Sequence, residues 1–257
     1  MNSYKEFENT KFIIGQGWNN AKRNLANEIA IAITYNGTTH AIMMASPNDL
    51  EDYAIGFSFC EGIIKNKDEI EKIEIINHNK GLELRIRLQN DVAANFTRQR
   101  NLKLGPVGCG LCGIDSLDAA LPNLEKLETN KSFEPQIIIN AMAKMREFQI
   151  INKATNAAHA AGFMDENGDV ILVREDIGRH NALDKLNGAL LVQNIDAQKG
   201  AILMTSRLSI DLVQKCAAIK CANLCAISAP SRLAIDAARQ ANIKIYAIVR
   251  DDGLEVF

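Results

Sequence analysis

The sequence lacks a net positive charge, a long apolar run and a high cysteine content. Its 257 residues carry 29 basic and 31 acidic side chains, so no overall positive field would attract nucleic acid or an anionic membrane. No apolar stretch approaches the roughly 20 residues that span a bilayer, and the polar start of the chain differs from a signal peptide. We therefore predict a cytoplasmic protein that binds neither nucleic acid nor membranes.

Six cysteines are too few for a disulfide scaffold in a chain of this length. Apolar residues make up 47% and charged residues 23% of the chain, as in a globular protein, and there is neither an internal repeat nor a low-complexity tract. The cysteines therefore raise the question of which thiols are chemically active.

Alternating apolar and polar residues in the first half predict β-hairpins. Such stretches cover residues 28–35, 40–44, 70–76 and 82–88. The first pair surrounds an Asn-Gly turn, and the second surrounds a polar turn that contains glycine. Between the hairpins, Ser46 and Pro47 predict the N-cap and first residue of a helix that runs to about Cys60. Residues 1–130 are thus expected to form a smaller, β-rich N-terminal subdomain.

Helices and strands alternate in the second half, after a charged, aperiodic segment at 124–135 that we predict to be the seam between the halves. Helices are predicted at 136–148, 179–191, 210–219 and 230–240, and strands at 170–173, 201–204, 224–227 and 243–249. This alternation is typical of an α/β layer with a largely parallel sheet. We therefore expect an α/β C-terminal subdomain over residues 131–257.

Two thiols, Cys109 and Cys112, lie in a glycine-rich loop with C-x-x-C spacing. Flanking glycines leave the backbone free to expose sulfur, and a helix start just downstream would stabilise a thiolate. The same spacing is also half of a structural zinc site, for which Cys221 and Cys225 are the best further ligands. The pattern leaves both interpretations open.

The remaining thiols have a simpler interpretation. Cys216, Cys221 and Cys225 stand among alanines and leucines, and Cys60 stands in an apolar helix. Free cysteine is commonly a small buried residue, so core packing is the expected role of all four. A zinc deaminase is excluded because no histidine precedes a glutamate by two positions.

The segment 174–185 concentrates Arg, His, Asn, Asp and Lys around a predicted helix start. Asp176, His180 and Asp184 are spaced by four and would share one helix face. Arg179 and the first-turn amides could hold a phosphate or a carbonyl-rich ring. The alternative is a solvated helix stabilised by ion pairs, and periodicity alone does not decide between the two.

Two loops that follow predicted strands could form an anion-binding crevice. Residues 205–209 and 228–232 each open a helix, so at neighbouring strand ends they would lie side by side with Arg207 and Arg232 at the rim. Ordinary helix capping by serine explains the first loop about as well. The small residues around His159 fit a packed, hydrogen-bonded histidine somewhat better than a ligand.

Taken together, these segments resemble the formate dehydrogenase accessory sulfurtransferase family, FdhD. The matching stretches are, in order, 45–57, 61–64, 109–113, 174–185, 209–215 and 228–230. Their order and spacing are highly specific, and the resemblance runs through most of the chain.

The resemblance implies a fold similar to that of cytidine deaminase, an α/β arrangement of three layers with a mixed sheet. It also implies a homodimeric sulfurtransferase that takes persulfide sulfur from a cysteine desulfurase. The sulfur would pass to a molybdenum or tungsten bis(pterin guanine dinucleotide) cofactor before its insertion into formate dehydrogenase, the client. Mo-bis(molybdopterin guanine dinucleotide) is then a bound substrate, and no permanently bound metal is expected.

The resemblance also assigns site residues. Cys109 matches the persulfide carrier and Cys112 its partner. The family's cofactor-binding stretch matches Ile248, Val249, Arg250, Asp251, Asp252 and Gly253, and the expected cofactor-binding set is completed by Arg207, Arg179, His180 and His159.

The chain departs from the family pattern at three places in this expected crevice. Asn156 stands where members have a glycine, and Ser206 stands at the glycine of a Ser-Gly-Arg motif. Ala247 and Ile248 replace a Gly-Phe pair. These departures leave persulfide chemistry intact and bear on the nucleotide contacts.

Overall fold

The computed structural model of the protein describes residues 2–103, 124–128 and 132–257. Within these ranges the helices are α1 (Leu50–Cys60), α2 (Asn90–Lys103), α3 (Pro135–Met145), α4 (Ile150–Thr155), α5 (Arg179–Val192), α6 (Ile210–Ala218) and α7 (Arg232–Ala241). The strands are β1 (Tyr4–Ile13), β2 (Gly17–Ala26), β3 (Ile29–Tyr35), β4 (Thr38–Ala45), β5 (Ile70–His78), β6 (Gly81–Leu88), β7 (His159–Met164), β8 (Val170–Asp176), β9 (Ala201–Met204), β10 (Asn223–Ala226), β11 (Lys244–Arg250) and β12 (Gly253–Val256). No helix in the described ranges has the length and apolar character needed to cross a membrane.

Four strands of the first half form one sheet in the order β4-β3-β6-β5. β3 pairs antiparallel with β4, and β5 pairs antiparallel with β6, so both predicted hairpins are confirmed. A parallel pairing of β3 with β6 joins the two hairpins. Inward side chains of these strands, among them Ile31, Ile33 and Leu84, share a hydrophobic core with Tyr53 and Phe57 of α1.

Helix α1 begins at Leu50, and the predicted start at Ser46 is wrong. Asp49 occupies the N-cap position with a φ of 51°, and its side chain makes no capping hydrogen bond. Ser46 is instead engaged in tertiary hydrogen bonds. Its amide donates to Asp176 Oδ2 at 2.9 Å, and its hydroxyl accepts from the Ile177 amide at 3.1 Å.

β1 and β2 form a separate two-stranded antiparallel sheet that no sequence pattern predicted. Most of its side chains are exposed, including Phe12 and Trp18, whose rings meet edge to face near the turn. Because both faces of the ribbon are largely exposed, the strands show no regular alternation of apolar and polar residues. That alternation is the signal by which a half-buried strand is recognised in a sequence.

Six strands of the second half form a mixed sheet in the order β12-β11-β10-β9-β7-β8. β9, β10 and β11 run parallel to one another, whereas β12, β7 and β8 each run antiparallel to their neighbours. The α/β class and the mixed sheet that the resemblance implies are confirmed, whereas the largely parallel sheet expected from the alternation of helices and strands is wrong. β7 and β12 were not predicted because three of the six β7 residues are alanine or glycine and β12 is a short strand without a buried side chain.

Helices cover both faces of this mixed sheet and complete three layers. α3 packs on one face through Ile138, Met142 and Met145, and α5, α6 and α7 pack on the other. Leu127, in the segment predicted to be the seam, belongs to the core beneath these three helices. Its amide donates to the carbonyl of Ala241 at 2.9 Å.

Helix α5 lies at the centre of the molecule, and its residues 181–190 are all buried. It packs on the mixed sheet and also on α1. The crossing with α1 is close because it occurs at glycines: a Cβ added to Gly56 would lie 1.8 Å from the carbonyl oxygen of Asp184. The alternative of a solvated, ion-paired helix over 174–185 is therefore wrong.

Candidate functional site

The carboxyl ends of β9, β10 and β11 open at one edge of the mixed sheet. The loops that follow β9 and β10 lie side by side, because the Leu208 amide donates to the Ala229 carbonyl at 3.3 Å and the Ser231 amide donates to the Leu208 carbonyl at 2.9 Å. The predicted juxtaposition of these loops is thus confirmed. The carboxyl edge of parallel strands is where α/β sheets usually bind ligands.

Of the two arginines expected at the rim of the crevice, Arg232 lies elsewhere. Arg232 is 96% exposed, and its guanidinium lies 3.8 Å from Asp236 on its own helix. It therefore faces solvent along α7 and does not line the crevice. Arg207 is exposed on the first loop, directly before the buried Leu208.

His159, Arg179 and His180 come together beside these loops. His159 is the first residue of β7, which runs antiparallel to β9, and the two others open α5. Burial, and secondarily the charge of Arg179, lower the pKa of both histidines. Both imidazoles are therefore neutral at pH 7, and each can donate and accept a hydrogen bond.

Polar contacts orient two of these three side chains only weakly. His180 Nε2 lies 3.4 Å from Ser209 Oγ and 3.8 Å from Asp211 Oδ2 at the start of α6. Arg179 Nε is buried and finds no hydrogen-bond partner among the described residues. The helix start thus holds polar groups that a ligand could engage.

The stretch expected to bind the cofactor, 248–253, spans the end of β11 and the turn into β12. Ile248 has a φ of 53°, a left-handed conformation that is strained for a β-branched residue. The strand bulges between Ala247 and Arg250, and the Ile248 amide donates to the Ser228 carbonyl at 3.4 Å. This bond places the stretch next to the loop after β10.

Most polar residues of 174–185 serve the interior of the protein. Asp176 lies in β8 rather than in the helix, so the predicted face shared by Asp176, His180 and Asp184 is wrong. Asp176 Oδ2 lies 2.7 Å from Lys185 Nζ, and both side chains are fully buried. Asp184 is buried and pairs with Lys215 of α6.

Asn181 extends this buried network to the first half of the chain. Its amide nitrogen donates to the Met44 carbonyl at 2.9 Å and to Asp176 Oδ1 at 3.1 Å, and its oxygen accepts from the Tyr53 hydroxyl at 3.0 Å. Of the polar residues in 174–185, Arg179 and His180 lie at the crevice.

Five of the six cysteines lie either in the core or outside the described residues, and Cys60 is the exception. Cys109 and Cys112 lie outside the residues that the structure describes. Cys216, Cys221 and Cys225 are fully buried, which confirms their predicted core packing, and burial raises the pKa of each thiol.

Cys221 and Cys225 belong to separate hydrophobic clusters on the two faces of the sheet. The zinc alternative thus loses two of its four proposed ligands. No group of three or more His, Cys, Asp or Glu side chains in the described ranges could hold a metal ion.

Cys60 differs from its predicted role in the core. The residue as a whole is half-buried, but its thiol is buried, and the sulfur accepts a hydrogen bond from Asn187 Nδ2 at 3.2 Å. Burial raises the pKa of this thiol far above the ordinary value, with the nearby Asp184 carboxylate as a smaller cause. A thiol in this setting carries little thiolate at neutral pH.

Backbone geometry accounts for one of the departures from the family pattern. Asn156, which replaces a glycine, ends α4 in the left-handed conformation with a φ of 55°. Asparagine is the side chain that tolerates this conformation best after glycine. Ser206 is buried, and its hydroxyl donates to the Arg207 carbonyl at 3.0 Å.

A cleft of about 410 Å³ lies beside His159, and the sequence does not predict it. It is lined by Arg146, Gln149, Asn152, Lys153, Asn156, Ala158, His159, Thr205 and Ile227. Those before Ala158 come from the segment between α3 and β7, which includes the short helix α4. No period or motif points to Gln149, Asn152 or Lys153, so only the folded chain brings these residues to the sheet edge.

Comparisons with known proteins agree with the fold and with the resemblance. A sequence model of the FdhD/NarQ family matches residues 26–257. Over 237 residues the chain is 44% identical to the sulfur carrier protein FdhD of Agrobacterium fabrum, covering 92% of this chain and 88% of that protein. It is 43% identical to the protein of the same name in Brucella abortus, covering 94% and 90% of the two chains.

A solved structure has the same fold. It belongs to a protein of Desulfotalea psychrophila proposed to be a formate dehydrogenase accessory protein. The two chains superpose with a TM-score of 0.77 at 23% identity, over 99% of this chain and 96% of the other.

Proposed function

Because the chain belongs to the FdhD/NarQ family, we propose that it is a sulfur carrier required for formate dehydrogenase activity. It takes sulfur from the persulfide of a cysteine desulfurase and passes it to the molybdenum or tungsten bis(pterin guanine dinucleotide) cofactor, its bound substrate, before insertion. It acts in the cytoplasm as a homodimer. The observation that carries the proposal is the 44% identity to a named sulfur carrier over 92% of the chain.

Cys109 is the persulfide carrier in this proposal, and Cys112 is its partner. The Cys109 thiolate attacks the outer sulfur of the donor persulfide, so a new S–S bond forms on Cys109 and the donor leaves as a thiolate. No net oxidation or reduction occurs in this step. The flanking glycines support this role because they leave the sulfur accessible to a bulky donor and acceptor.

The crevice at the sheet edge holds the guanine dinucleotide part of the substrate in this proposal. Arg179, His180 and His159 lie together there, and 248–253 adjoins it through the bond from Ile248 to Ser228. Arg207 and Arg250 are exposed cations that can reach a phosphate. Charge-assisted bonds to phosphate, together with neutral imidazoles for the ring, suit a large anionic ligand.

Intact mass spectrometry after incubation with a cysteine desulfurase and cysteine tests the carrier role. The wild type should gain about one sulfur mass, ~32 Da, which a thiol reductant removes. Cys109→Ala should gain none. Cys60→Ala is the matched control and should load like the wild type, because burial leaves the Cys60 thiol protonated.

Two results would contradict the proposal. One is an unloaded wild type under conditions in which the desulfurase itself carries persulfide. The other is a Cys109→Ala protein that still supports full formate dehydrogenase activity, which would make the chain a cofactor chaperone whose cysteines serve only for docking.

A further inference from the structure

The cleft beside His159 has a buried hydrogen-bond donor for which the described residues supply no acceptor. Gln149 is 4% exposed and lines the cleft. Its Oε1 accepts from Asn152 Nδ2 at 3.1 Å, whereas its Nε2 is buried and has no hydrogen-bond partner among the described residues. A buried N–H group without a partner is costly, so this nitrogen is suited to a ligand that supplies an acceptor.

The charges around the cleft favour an anion. Arg146 and Lys153 are its two charged lining residues, both are exposed, and no carboxylate lines it within the described ranges. Lys153 Nζ donates to the Glu147 carbonyl at 2.8 Å, which leaves two of its three donors for a ligand.

One carboxylate lies behind the cleft and is already engaged. Glu175 accepts from the amides of Ile151 and Asn152, each at 2.8 Å. Its oxygens therefore serve the first turn of α4, and among the described lining residues no carboxylate opposes the donors of Gln149, Arg146 and Lys153.

The cleft adjoins the proposed nucleotide crevice. His159 and Thr205 line it at the ends of β7 and β9, and Ile227 lines it directly before Ser228, whose carbonyl accepts from Ile248. A ligand that occupies the crevice could therefore extend into the cleft.

We propose that this cleft is a diphosphate-binding subsite, in which Arg146, Lys153 and the Gln149 amide hold the phosphates of a nucleotide. The proposal rests on the proposed function in one respect, which is that the nucleotide is the guanine dinucleotide arm of the substrate. Guanidinium, ammonium and amide donors converging on one anion match the acceptors of a diphosphate.

Isothermal titration with guanosine diphosphate, inorganic pyrophosphate and guanosine tests the subsite. Arg146→Ala and Lys153→Ala should each weaken binding of both phosphate-bearing probes about tenfold, because each loses a charge-assisted hydrogen bond. Guanosine affinity should not change. Arg239→Ala and Lys199→Ala remove exposed cations from α7 and from the turn before β9 and should bind all probes like the wild type.

Gln149→Glu is the sharper variant. It keeps the acceptor for Asn152 and the shape of the side chain, but it replaces the free donor with a negative charge. Binding of pyrophosphate should fall by more than tenfold. Thermal unfolding checks the fold, and if this variant does not fold, the exposed Arg146 and Lys153 decide the question.

The outcomes separate the subsite from the proposed function. If the wild type binds guanosine diphosphate and the variants bind it equally well, the subsite is wrong and nucleotide binding stands. If pyrophosphate binding depends on Arg146 while guanosine adds nothing to affinity, the subsite stands and the guanine assignment fails. A wild type that binds neither phosphate-bearing probe overturns the subsite, and sulfur loading of Cys109 then tests the carrier role independently.

Discussion

Asp176 and Lys185 form a buried ion pair, although the charged sequence around them suggests a surface site. Lys185 Nζ lies 2.7 Å from Asp176 Oδ2 and donates to the Ser46 carbonyl at 3.0 Å. Asp176 also accepts from the amides of Ser46 and Gly178. Burial lowers the pKa of Lys185, and the Asp176 carboxylate opposes that shift. A buried ion pair tolerates the loss of one partner poorly.

Replacing one member of this pair should therefore be costly. Lys185→Met leaves the Asp176 charge buried without a cation and should lower the free energy of unfolding by about 3–5 kcal/mol. Urea denaturation measures the change. Lys144→Met, which breaks an exposed pair with Asp169, should cost less than about 1 kcal/mol. The double variant Lys185→Met with Asp176→Asn removes the unpaired buried charge and should recover part of the lost stability. If it recovers none, the loss does not come from that charge.

Glu83 should make stability depend on pH. Hydrogen bonds from Arg85, and less strongly from His78 and Thr34, lower its pKa from the ordinary 4.5 to about 2. Since the folded-state pKa is the lower one, the stabilisation is complete above pH 4.5 and is lost as the pH falls towards 2. Urea midpoints at several pH values should show a wild-type advantage over Glu83→Gln, on the order of 1 kcal/mol at pH 7. An advantage that stays constant down to pH 2 would refute this.

Among the elements, the crossing of α1 and α5 joins the two halves of the chain. The helix backbones touch at Gly56 and Gly188, where an added Cβ would lie 1.8 Å and 1.9 Å from the carbonyl oxygens of Asp184 and Asp52. Because these obstacles are backbone atoms, the helices would have to move apart. That movement would also disturb the hydrogen bond from Tyr53 to Asn181.

Gly56→Ala should therefore destabilise the protein by about 3 kcal/mol. Helix propensity alone predicts the opposite sign, a gain of roughly 1 kcal/mol for alanine in a helix interior. Thermal or urea unfolding of this variant and of Gly188→Ala gives the sign directly. A neutral or stabilising effect of both would show that the helices cross less closely.

In the whole molecule, the four-stranded and six-stranded sheets have separate hydrophobic cores but share polar bonds. The Ser46, Tyr53 and Met44 contacts to Asp176 and Asn181 cross from the first half of the chain to the second, and Arg174 Nε donates to Asp52 Oδ2 at 2.8 Å. α5 belongs to the interior of this assembly. Neither half can unfold without leaving buried polar groups of the other unpaired.

We therefore expect the halves to unfold together. Urea unfolding followed by circular dichroism should show one transition, and hydrogen exchange should give similar opening free energies for the amides of β3 and β9. The exposed ribbon of β1 and β2 should exchange much faster than either. If the amides of β3 have an opening free energy well below that of the amides of β9, the two halves do not unfold together.

An element could be predicted from the sequence when apolar and polar residues alternate regularly along it. The two hairpins of the first half were predicted because apolar residues alternate along their strands, and the inner strands β3 and β6 bury one face. The ribbon lacks that pattern because most of its side chains are exposed, and β12 lacks it because none of its four residues is buried. The start of α1 was misplaced because Ser46 bonds to a residue 130 positions away, which local capping rules do not include.

The candidate site was predictable only in part, for the same reason. Arg179, His180 and His159 were expected from the sequence and do meet at the sheet edge, whereas Arg232 points along its own helix. Gln149 and its neighbours could not be predicted because nothing local distinguishes them.

By itself the sequence determined the α/β class, most helices and strands, the core role of three cysteines and the family, because these depend on residue pattern, composition and order along the chain. Only the tertiary structure decided that Asp176, Asn181 and Lys185 form a buried network, that α1 crosses α5 at two glycines, and that the buried Gln149 amide lines a cleft beside His159. Burial and pairing depend on residues that lie far apart in sequence. The chain specifies them only by folding.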